Sequence, residues 1–498
     1  MPLINLDIPP GFHSSGSAYK VGQSKRWWRG NLVRFRAGLL APVGGWLRVS
    51  DTALSGVARG MHTWRDIGLR RRLGIGTSDS LYVYSDTGEF VEVTPTVFQP
   101  GRTDGMYADG FGYGAYGASA YGTPRESSEE RLLVGASTWS MDNWGENLVG
   151  VASHEGRVYE WAPGDPAATE VLNAPIANRA LIVTPERHLV ALGAGGNPRS
   201  VAWSDREDNT TWAAASTNLA GSIELQTQGM IEAAVKVRGE TLILTDQDAH
   251  SMRSIGRPLV YGFERVGSAC GIAGPKAVVA ADGWAAWMGP GGWHIYDGMV
   301  RDLPSEVYDY VYSDINLTQR SKIHAGINSD FNEIWWFYVS SDATEIDRYV
   351  IWNYVEQVWC AGELPRTSWA PIGVFTTPLL MGADGHLYEH ETGWTADGTP
   401  IGSSRWAESG ALSIAQGDQV MTVLRMLPDE RTLGDTRVKF KTRFAPNASE
   451  TVHGPYPMSA FVDMRFQARQ VAVRVEGVAD DDWRIGLPRF DVQPGGRR

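Results

Sequence analysis

Most of the chain consists of short runs of β-branched and aromatic residues, separated by turns rich in Gly, Asp and Asn. The segment RRLGIGTSDSLYVYSDTGEFVEV at 71–93 contains an apolar strand, a polar turn, a strand of alternating polarity, a second turn and a third strand. No long stretch keeps the apolar period of 3.6 residues that a helix requires, and residues 304–320 predict only short helical turns. The pattern therefore predicts a mostly β protein.

This pattern of strands and turns returns along the chain as a loose internal repeat. Further copies occur at 147–164, 188–208, 240–256, 283–304, 333–359 and 378–393. The copies begin near residues 73, 148, 189, 241, 284, 334 and 379, so most intervals are about 41 to 52 residues long. Such intervals are typical of the four-stranded blades of a β-propeller. We therefore expect six or seven blades, with a set of β-sandwiches of the same turn density as the alternative.

The chain contains 20 tryptophans, which is unusually many. In a propeller, large flat side chains fill the wedge between neighbouring blades, where they need no ligand to explain them. The tryptophans for which we predict this position are Trp161, Trp203, Trp287, Trp293, Trp336, Trp352 and Trp359.

Three regions follow from the repeat. Residues 1–50 form an N-terminal arm with the first strands, and residues 51–400 form the propeller, with an insertion at about 101–146. After Arg405 the strands become longer and alternate in polarity, which predicts an antiparallel β-sandwich-like domain at 401–498. The expected fold is thus all-β: a propeller with an additional C-terminal antiparallel β domain.

The first half of the insertion is made almost entirely of Gly, Tyr, Ala and Ser. Gly112, Gly114 and Gly117 match G-x-G-x-x-G, but no strand precedes them and no helix follows, so a nucleotide site is not predicted. Long loops of this kind are either functional or disordered. As aromatic candidates for contact with a channel or a partner we take Tyr107, Phe111, Tyr113, Tyr116 and Tyr121.

Charge and cysteine content narrow the class of protein. The formal charge is −12, with 45 basic and 57 acidic side chains, which argues against tight wrapping around nucleic acid. Two cysteines, Cys270 and Cys360, are too few for a disulfide framework. The N-terminus lacks the pattern of a signal peptide, and no apolar run reaches about 18 residues. These features predict a soluble protein made in the cytoplasm.

Residues 20–48 are basic and aromatic and contain no acid. Basic side chains interleaved with aromatic rings are typical of a nucleic-acid stripe, whereas the alternation in NLVRFRAG also suits an edge strand that meets an acidic protein. Because the rest of the chain is acidic, we favour a protein interface. Its candidate residues are Arg26, Trp27, Trp28, Arg29, Arg34 and Arg36.

Signals of enzyme chemistry are weak. Carboxylates cluster at 205–208 and 246–248, as in glycosidases, but Asp also caps its own backbone in turns, and no second catalytic partner is evident. His386 and His390 would lie about 13 Å apart on one face of a strand, too far for one metal ion. The sequence has no H-E-x-x-H, G-x-S-x-G or P-loop motif. We expect no catalytic residue, metal, cofactor or small-molecule substrate.

The order of segments resembles a known family. The segment NLVRFRAGLLAPVGGWLRVSDTALSGVARGMHTWRD, followed by RRLGIGTSDSLYVYS, is similar to the opening of the tail-hub or nozzle proteins of short-tailed bacteriophages, also called packaged-DNA stabilisation or head-completion proteins. GRPLVYGFERVGSACGIAGPKAVVAADGWAAWMGPGGWHIYDG and RYVIWNYVEQVWCAGE are similar too. The resemblance spans roughly residues 25–490, without a single diagnostic motif, and does not include the Gly/Tyr loop at 104–123.

The resemblance implies a non-enzymatic structural protein of the virion tail, assembled in the host bacterial cytoplasm. It implies a homohexameric ring below the portal and its adaptor, which continues the channel for double-stranded DNA, retains the DNA and conducts it during ejection. Tail fibres or spikes would dock on the outer surface. Two alternatives are a propeller carbohydrate-active enzyme, with acids such as Asp205 and Asp246, and a host-glycan-binding protein.

Overall fold

The structure is a computed structural model of the 498-residue chain. It describes residues 3–16, 20–21, 24–85, 88–108, 132–281, 283–413, 419–432, 434–445, 447–486 and 488–495. The first strands are β1 (Leu3–Asn5), β2 (Trp27–Asn31), β3 (Val33–Arg36), β4 (Leu39–Pro42) and β5 (Trp46–Arg48). β3 and β4 form a hairpin, which we call the N-terminal hairpin.

Seven antiparallel sheets of four strands follow, and we number them as blades 1 to 7. Blade 1 consists of β6 (Ala58–Arg65), β7 (Arg71–Thr77), β8 (Leu81–Ser85) and β9 (Phe90–Glu92). After it, β10 (Met106–Ala108) and β11 (Leu132–Val134) pair with each other. Blade 2 consists of β12 (Trp139–Trp144), β13 (Asn147–Ala152), β14 (Val158–Trp161) and β15 (Thr169–Glu170). Blade 3 consists of β16 (Ala180–Val183), β17 (Leu189–Leu192), β18 (Ser200–Trp203) and β19 (Gly221–Glu224).

The remaining blades continue in the same order. Blade 4 consists of β20 (Ile231–Val237), β21 (Glu240–Thr245), β22 (Asp248–Gly256) and β23 (Val260–Ser268). Blade 5 consists of β24 (Val278–Ala281), β25 (Trp284–Gly289), β26 (Gly292–Tyr296) and β27 (Val300–Leu303). Blade 6 consists of β28 (His324–Asn328), β29 (Glu333–Tyr338), β30 (Arg348–Asn353) and β31 (Val358–Glu363). Blade 7 consists of β32 (Arg366–Ala370), β33 (Leu379–Gly382), β34 (Leu387–His390) and β5.

The blades form a closed ring. The first strand of each blade lies against the first strand of the next, and β32 of blade 7 lies against β6 of blade 1. β5 is the fourth strand of blade 7, where Trp46 pairs with His390 and Arg48 with Tyr388. An N-terminal strand thus completes the last blade, so both ends of the propeller segment are held in one sheet.

Because neighbouring strands are antiparallel, the connections divide between two faces of the ring. The connection face carries the links between blades, such as 304–323, and the turns between second and third strands, such as 246–247. The hairpin face carries the remaining turns, such as 66–70 and 354–357. Helical structure in the described residues comprises α1 (Tyr308–Tyr312), the 3₁₀ segments Ala194–Gly196, Leu317–Lys322 and Gly402–Ser404, and helical backbone at Lys20 and Val21.

The C-terminal region is a sandwich of two antiparallel sheets. Its strands are β35 (Trp406–Ser409), β36 (Leu412–Ser413), β37 (Met421–Leu427), β38 (Thr436–Arg443), β39 (Thr451–Pro457), β40 (Val462–Ala468), β41 (Gln470–Gly477) and β42 (Arg489–Pro494). One sheet has the order β1-β42-β37-β40, and the other β2-β35-β41-β38-β39, with β36 beside β41. Phe440 packs between the sheets against Phe466 and Phe490, with ring centroids 5.4 and 5.6 Å away.

The N-terminal 50 residues are shared between the two domains. β1 and β2 are strands of the sandwich, and β5 is a strand of the propeller. The prediction of an all-β fold with a propeller and a C-terminal antiparallel domain is confirmed, and the propeller has seven blades. The arm expected at 1–50 is, however, no separate unit, because its strands complete sheets formed by distant parts of the chain.

The tryptophans expected between blades are buried. Trp293 of blade 5 and Trp336 and Trp359 of blade 6 form one aromatic cluster, with centroid distances of 4.9 to 6.2 Å. All three are at most 2 % exposed. Burying rings of this size dominates the energetics of a core, so these three tryptophans stabilise the contact between blades 5 and 6.

Candidate functional site: the propeller centre and its junction with the sandwich

A buried cluster of charges lies where the N-terminal hairpin meets blades 6 and 7. Arg34 of β3 is 1 % exposed, and its Nε lies 3.0 Å from Oε1 of Glu333 at the start of β29. Its Nη1 donates a hydrogen bond of 3.0 Å to Oε2 of Glu391, which follows β34. The guanidinium carbon lies 3.7 Å from the ring centroid of Phe331. One cation is therefore shared by two carboxylates beneath an aromatic ring.

This shared pairing shifts the pKa values of the cluster. Burial raises the pKa of Glu333 to about 7, although the guanidinium of Arg34 opposes the shift. For Arg34, burial disfavours the charged form, but the two carboxylates outweigh burial and raise its pKa above the usual value. The cluster is positioned to hold the hairpin on the propeller, because a buried charge is stable only while its partners remain.

Two of the predicted interface residues are thus internal. Trp27 is 5 % exposed and belongs to the main hydrophobic core, and Arg34 is enclosed in the charge cluster. Neither side chain is accessible to a partner, which corrects the sequence-based prediction for these two positions. The alternation in NLVRFRAG indicated a strand correctly, but that strand, β3, is largely buried.

The other predicted interface residues lie nearer the surface. Arg26 donates from Nη1 to the carbonyl of Pro10 at 3.2 Å. The guanidinium of Arg29 lies 4.7 Å from the ring centroid of Trp28. Arg36 is half-buried, 5.3 Å from the ring of Phe331. Arg26, Trp28, Arg29 and Arg36 therefore remain available to a partner.

Arg29 also belongs to a second charge cluster, in the sandwich. Glu408 of β35 is 3 % exposed and is paired with Arg29 at 3.2 Å, Lys441 at 2.8 Å and Arg474 at 3.3 Å. Burial opposes ionisation of this carboxyl, but hydrogen bonding and attraction by Lys441 and Arg29 lower its pKa below the usual value. Arg29 of the basic stretch is thus paired with an acid of its own chain.

The described residues at the base of the insertion form hydrogen bonds with the link between blades 5 and 6. Tyr107 lies in β10 and pairs with Leu133 of β11. Gln319 accepts a hydrogen bond of 2.9 Å from the backbone N–H of Gly105 and donates one of 3.0 Å to its carbonyl. Ser321 accepts a bond of 2.8 Å from the N–H of Ala136. The predicted residues Phe111, Tyr113, Tyr116 and Tyr121 lie outside the described residues.

Ion pairs also hold the base of the insertion on the propeller. Nη1 of Arg59, in the first strand of blade 1, donates to Oε1 of Glu345 in blade 6 at 2.9 Å. Nζ of Lys322 lies 2.5 Å from Oδ1 of Asp104 and 3.6 Å from Oε2 of Glu345. The side chain of Lys322 is fully buried. The network joins blade 1, blade 6 and the base of the insertion.

Farther along the first strands, a third group of charges faces the centre of the ring. Asp142 of blade 2 lies 2.7 Å from Nζ of Lys236 in blade 4 and accepts a backbone hydrogen bond of 2.9 Å from Val183 in blade 3. Burial lowers the pKa of His62, in blade 1, although Asp142 opposes the shift. Polar groups from four blades therefore meet at the axis.

The carboxylates considered as catalytic acids serve turns. Asp208 accepts from the backbone N–H and hydroxyl of Thr210 at 2.9 and 2.6 Å, and Asp246 accepts from the N–H of Met230 at 2.7 Å. Asp205 follows the third strand of blade 3 and Asp246 the second strand of blade 4, so they lie on opposite faces of the ring. They cannot act as one pair of acids.

A cleft of about 630 Å³ lies on the connection face between blades 4 and 5. Its lining includes Asp246, Trp293, His294, Asp302 and Tyr308. Nδ1 of His294 lies 3.0 Å from Oδ1 of Asp302. Burial lowers the pKa of His294, and Asp302 opposes the shift. This cleft has the size of a small-molecule site.

Histidine and cysteine form no metal site in the described residues, where no group of three or more His, Cys, Asp or Glu side chains has suitable geometry. His390 stacks on Trp46 at 5.3 Å and accepts a hydrogen bond of 2.8 Å from Nε of Arg366. Cys270 and Cys360 are free and buried. Burial raises the pKa of the Cys270 thiol to about 11, so this sulfur is not poised as a nucleophile.

Searches for relatives found no matching family and no matching curated protein. Solved structures similar to the chain include virginiamycin B lyase from Staphylococcus aureus, with 7 % identity and a TM-score of 0.41 over 69 % of this chain and 97 % of that one. The Pan2 WD40 domain of Neurospora crassa has 8 % identity and a TM-score of 0.40 over 70 % and 94 % of the two chains. YCF48 from Cyanidioschyzon merolae has 8 % identity and a TM-score of 0.40 over 70 % and 98 %.

In the described part of the chain, no helix has the length and apolar character needed to cross a membrane.

Proposed function

We propose that the chain is a structural subunit of a short bacteriophage tail: a ring-shaped nozzle or hub below the portal and adaptor, which retains packaged DNA and conducts it during ejection. The proposal rests first on the resemblance of residues 25–490 to that family. The structural observation that supports the proposal most is that the N-terminal segment contributes strands to both the propeller and the sandwich.

A part that guides DNA under pressure needs domains that do not separate. β1 and β2 are built into the two sheets of the sandwich, and β5 completes blade 7. Between them, Arg34 anchors the N-terminal hairpin to Glu333 and Glu391. Pulling the domains apart would therefore disrupt sheet hydrogen bonds and expose a buried charge, which is costly.

The charge of the chain also suits a conduit. A hexamer would carry six times the formal charge of −12. Tight DNA binding requires many Lys and Arg contacts to phosphates, whereas an acidic wall repels phosphates and lets DNA slide. The basic stretch at 20–48 does not reverse this balance, because Arg29 and Arg34 are paired with Glu408, Glu333 and Glu391.

The decisive experiment is assembly with the phage adaptor. We expect the full chain, mixed with adaptor rings, to form a six-fold ring in analytical ultracentrifugation and in cryo-electron microscopy, and the same ring to appear in virion tails. A free monomer without adaptor does not decide, since assembly can depend on the adaptor. Absence of this chain from virion tails, or a chain that stays monomeric with the adaptor, would refute the proposal.

A double variant of surface arginines tests whether the N-terminal segment takes part in ring formation. The double variant Arg26→Ser, Arg36→Ser removes two charges that remain accessible on the N-terminal segment. The matched control Arg301→Ser, Arg253→Ser removes two exposed arginines from blades 4 and 5. If the N-terminal segment contacts an acidic surface of the adaptor or of a neighbouring subunit, only the first pair weakens ring formation, and salt weakens it further.

A glycan-binding protein is the second candidate, because one observation favours it. The cleft between blades 4 and 5 combines carboxylates with Tyr308, whose side chain is 40 % exposed. Sugars stack on aromatic faces and bond to carboxylates, so the cleft has the required chemistry. Binding of isolated protein to a glycan array that Tyr308→Ala abolishes would favour this function, and the propeller carbohydrate-active enzyme would additionally require turnover.

A further inference from the structure

The described residues enclose a polar cavity of about 170 Å³ at the centre of the propeller, between the first strands of several blades. At about 30 Å³ per water molecule, it has room for a small ion with a few waters. Its polar lining residues are Arg59, Thr138, Lys276, Ser321, Lys322, His324, Thr367, Ser368 and Trp369. None of these side chains is a carboxylate, so the walls present chiefly donors of hydrogen bonds.

Two of these donors have no hydrogen-bond partner among the described residues. They are Nε of Arg59 and Nε1 of Trp369. The two residues are 3 % and 8 % exposed. Burial lowers the pKa of His324 to about 3, although a hydrogen bond to the backbone of Lys322 opposes the shift, so the neutral ring uses its one N–H within the protein. Buried polar groups are normally satisfied, and here two unsatisfied donors share one cavity.

Lys276 adds a positive charge to the cavity. Its ammonium group forms no ion pair in the described part of the chain. The nearest acid that influences it is Asp142, which is already paired with Lys236 at 2.7 Å. Burial lowers the pKa of Lys276 to about 8 despite Asp142, so the side chain is still charged at neutral pH. Among the described residues, its charge therefore has no ion-pair partner.

The other two cations of the cavity do have counter-ions. Arg59 uses its Nη atoms for Glu345, and Lys322 is paired with Asp104 and Glu345. Two cations and two carboxylates thus balance at the rim, and the excess charge is that of Lys276. Lys276 is half-buried, so solvent reaches part of this side chain.

We propose that this central cavity binds a small inorganic anion, such as phosphate or chloride, between the ammonium group of Lys276 and the N–H donors of Trp369 and Arg59. An anion satisfies all three donors and neutralises the excess charge, as charge-assisted hydrogen bonds do in other enclosed sites. It links blades 1, 5 and 7 at the axis and thereby stabilises the closed ring. The inference does not depend on the nozzle function.

Isothermal titration calorimetry on the full chain tests the proposal. Sodium phosphate is titrated in a chloride-free zwitterionic buffer, and the titration is repeated with sodium chloride as titrant and as competitor. We expect saturable binding of one anion per chain and a rise in melting temperature. Competition by chloride identifies a site for either anion, and phosphate binding that chloride does not affect identifies an oxyanion site.

Two variants locate the binding. Lys276→Met should weaken phosphate binding by about tenfold or more, the loss expected for one charge-assisted hydrogen bond. Trp369→Phe keeps an aromatic ring, removes only the N–H donor and should weaken binding several-fold. Lys439→Met, which removes a lysine of the sandwich paired with Glu476, is the control and should bind as the wild type does.

The proposal is overturned if the wild type gives no saturable heat with phosphate or with chloride. It is also overturned if Lys276→Met, folded by circular dichroism, binds phosphate as tightly as the wild type and the control. A melting temperature of anion-free Lys276→Met at or above that of the wild type is expected, because the variant removes a half-buried charge that has no ion-pair partner among the described residues.

Discussion

Nε of Arg34 lies 3.0 Å from Oε1 of Glu333, so a cation of the N-terminal hairpin is paired with an acid of blade 6 inside the protein. Both side chains are 1 % exposed. The Coulombic gain of such a pair is offset by desolvation, but removal of one partner leaves a buried charge alone. The pair therefore makes the hairpin and blade 6 depend on each other.

The first prediction concerns Arg34. Arg34→Met leaves Glu333 and Glu391 close together without their cation, and we expect a loss of about 3–5 kcal/mol in the free energy of unfolding. Urea denaturation followed by tryptophan fluorescence measures it. The control is Arg36→Met, since Arg36 also lies over Phe331 but is half-buried. Equal losses in the two variants would contradict a locking role for Arg34.

The second prediction is a pH dependence that comes from Glu333. Burial raises the pKa of its carboxyl from 4.5 to about 7 in the folded protein. The folded state therefore binds this proton more tightly than the unfolded state, and the resulting stability is lost as pH rises through the folded pKa. The charged or titratable groups that face the carboxyl include Arg34, Glu391, Cys360 and Tyr349.

Glu333→Gln tests that prediction. The amide imitates the protonated carboxyl, so between about pH 5 and pH 8 the variant should lose less stability than the wild type. Glu356→Gln, an acid that accepts hydrogen bonds from the exposed backbone of Ala37 and Gly38, is the control and should follow the wild-type profile. Parallel profiles for wild type and Glu333→Gln would show that Glu333 does not titrate in this range.

The sequence pattern located the blades through one particular strand. The repeats expected near 73, 148, 189, 241, 284, 334 and 379 fall at the second strands β7, β13, β17, β21, β25, β29 and β33. These strands are buried on both faces; β17, for example, has no exposed residue. Fourth strands such as β9 and β15 are largely exposed, so their patterns carry little signal. The second strands therefore give the number of blades.

Pairing between distant segments could not be read from the sequence. Arg34 and Glu391 are 357 residues apart, and no local pattern tells which acid a lone arginine will meet. Lys276 illustrates the same limit for the candidate anion site, because its surroundings come from several blades. The only local signal of these buried charges was a charged residue near the start of an apolar strand. Such a residue is equally typical of a strand end that faces solvent.

The third prediction concerns the closure of the ring by β5. A Cβ added to Gly45 would lie 2.4 Å from the carbonyl oxygen and 2.7 Å from the backbone nitrogen of Thr395. Because the contact is with the backbone of the segment at 393–396, which pairs with β5, Gly45→Ala must displace β5 or that segment and disturb the pairing of β5 with β34, at a cost of about 1–3 kcal/mol. Urea denaturation measures the loss, and hydrogen exchange should show faster exchange at Leu387–His390.

Gly291→Ala is the control for that variant. A Cβ at Gly291 meets nothing within 4 Å, so the variant isolates the general effect of replacing glycine in this chain. Gly45→Ala should be clearly less stable than Gly291→Ala. If both retain wild-type stability and blade 7 exchanges no faster, the strand closing the ring tolerates the shift and the closure is looser than the structure indicates.

The fourth prediction concerns the base of the insertion, which Gln319 holds on the connection face. Gln319→Ala removes the acceptor for the N–H of Gly105 and the donor to its carbonyl, at 2.9 and 3.0 Å. Gly105 is buried, and each backbone group left unsatisfied costs about 1–3 kcal/mol. We expect faster hydrogen exchange in β10 and β11, with unchanged exchange in β33.

The control for Gln319→Ala is Leu317→Ala, at an exposed position of the same 3₁₀ segment. It should leave β10 protected from exchange. Equal exchange in the two variants would show that other contacts hold the insertion.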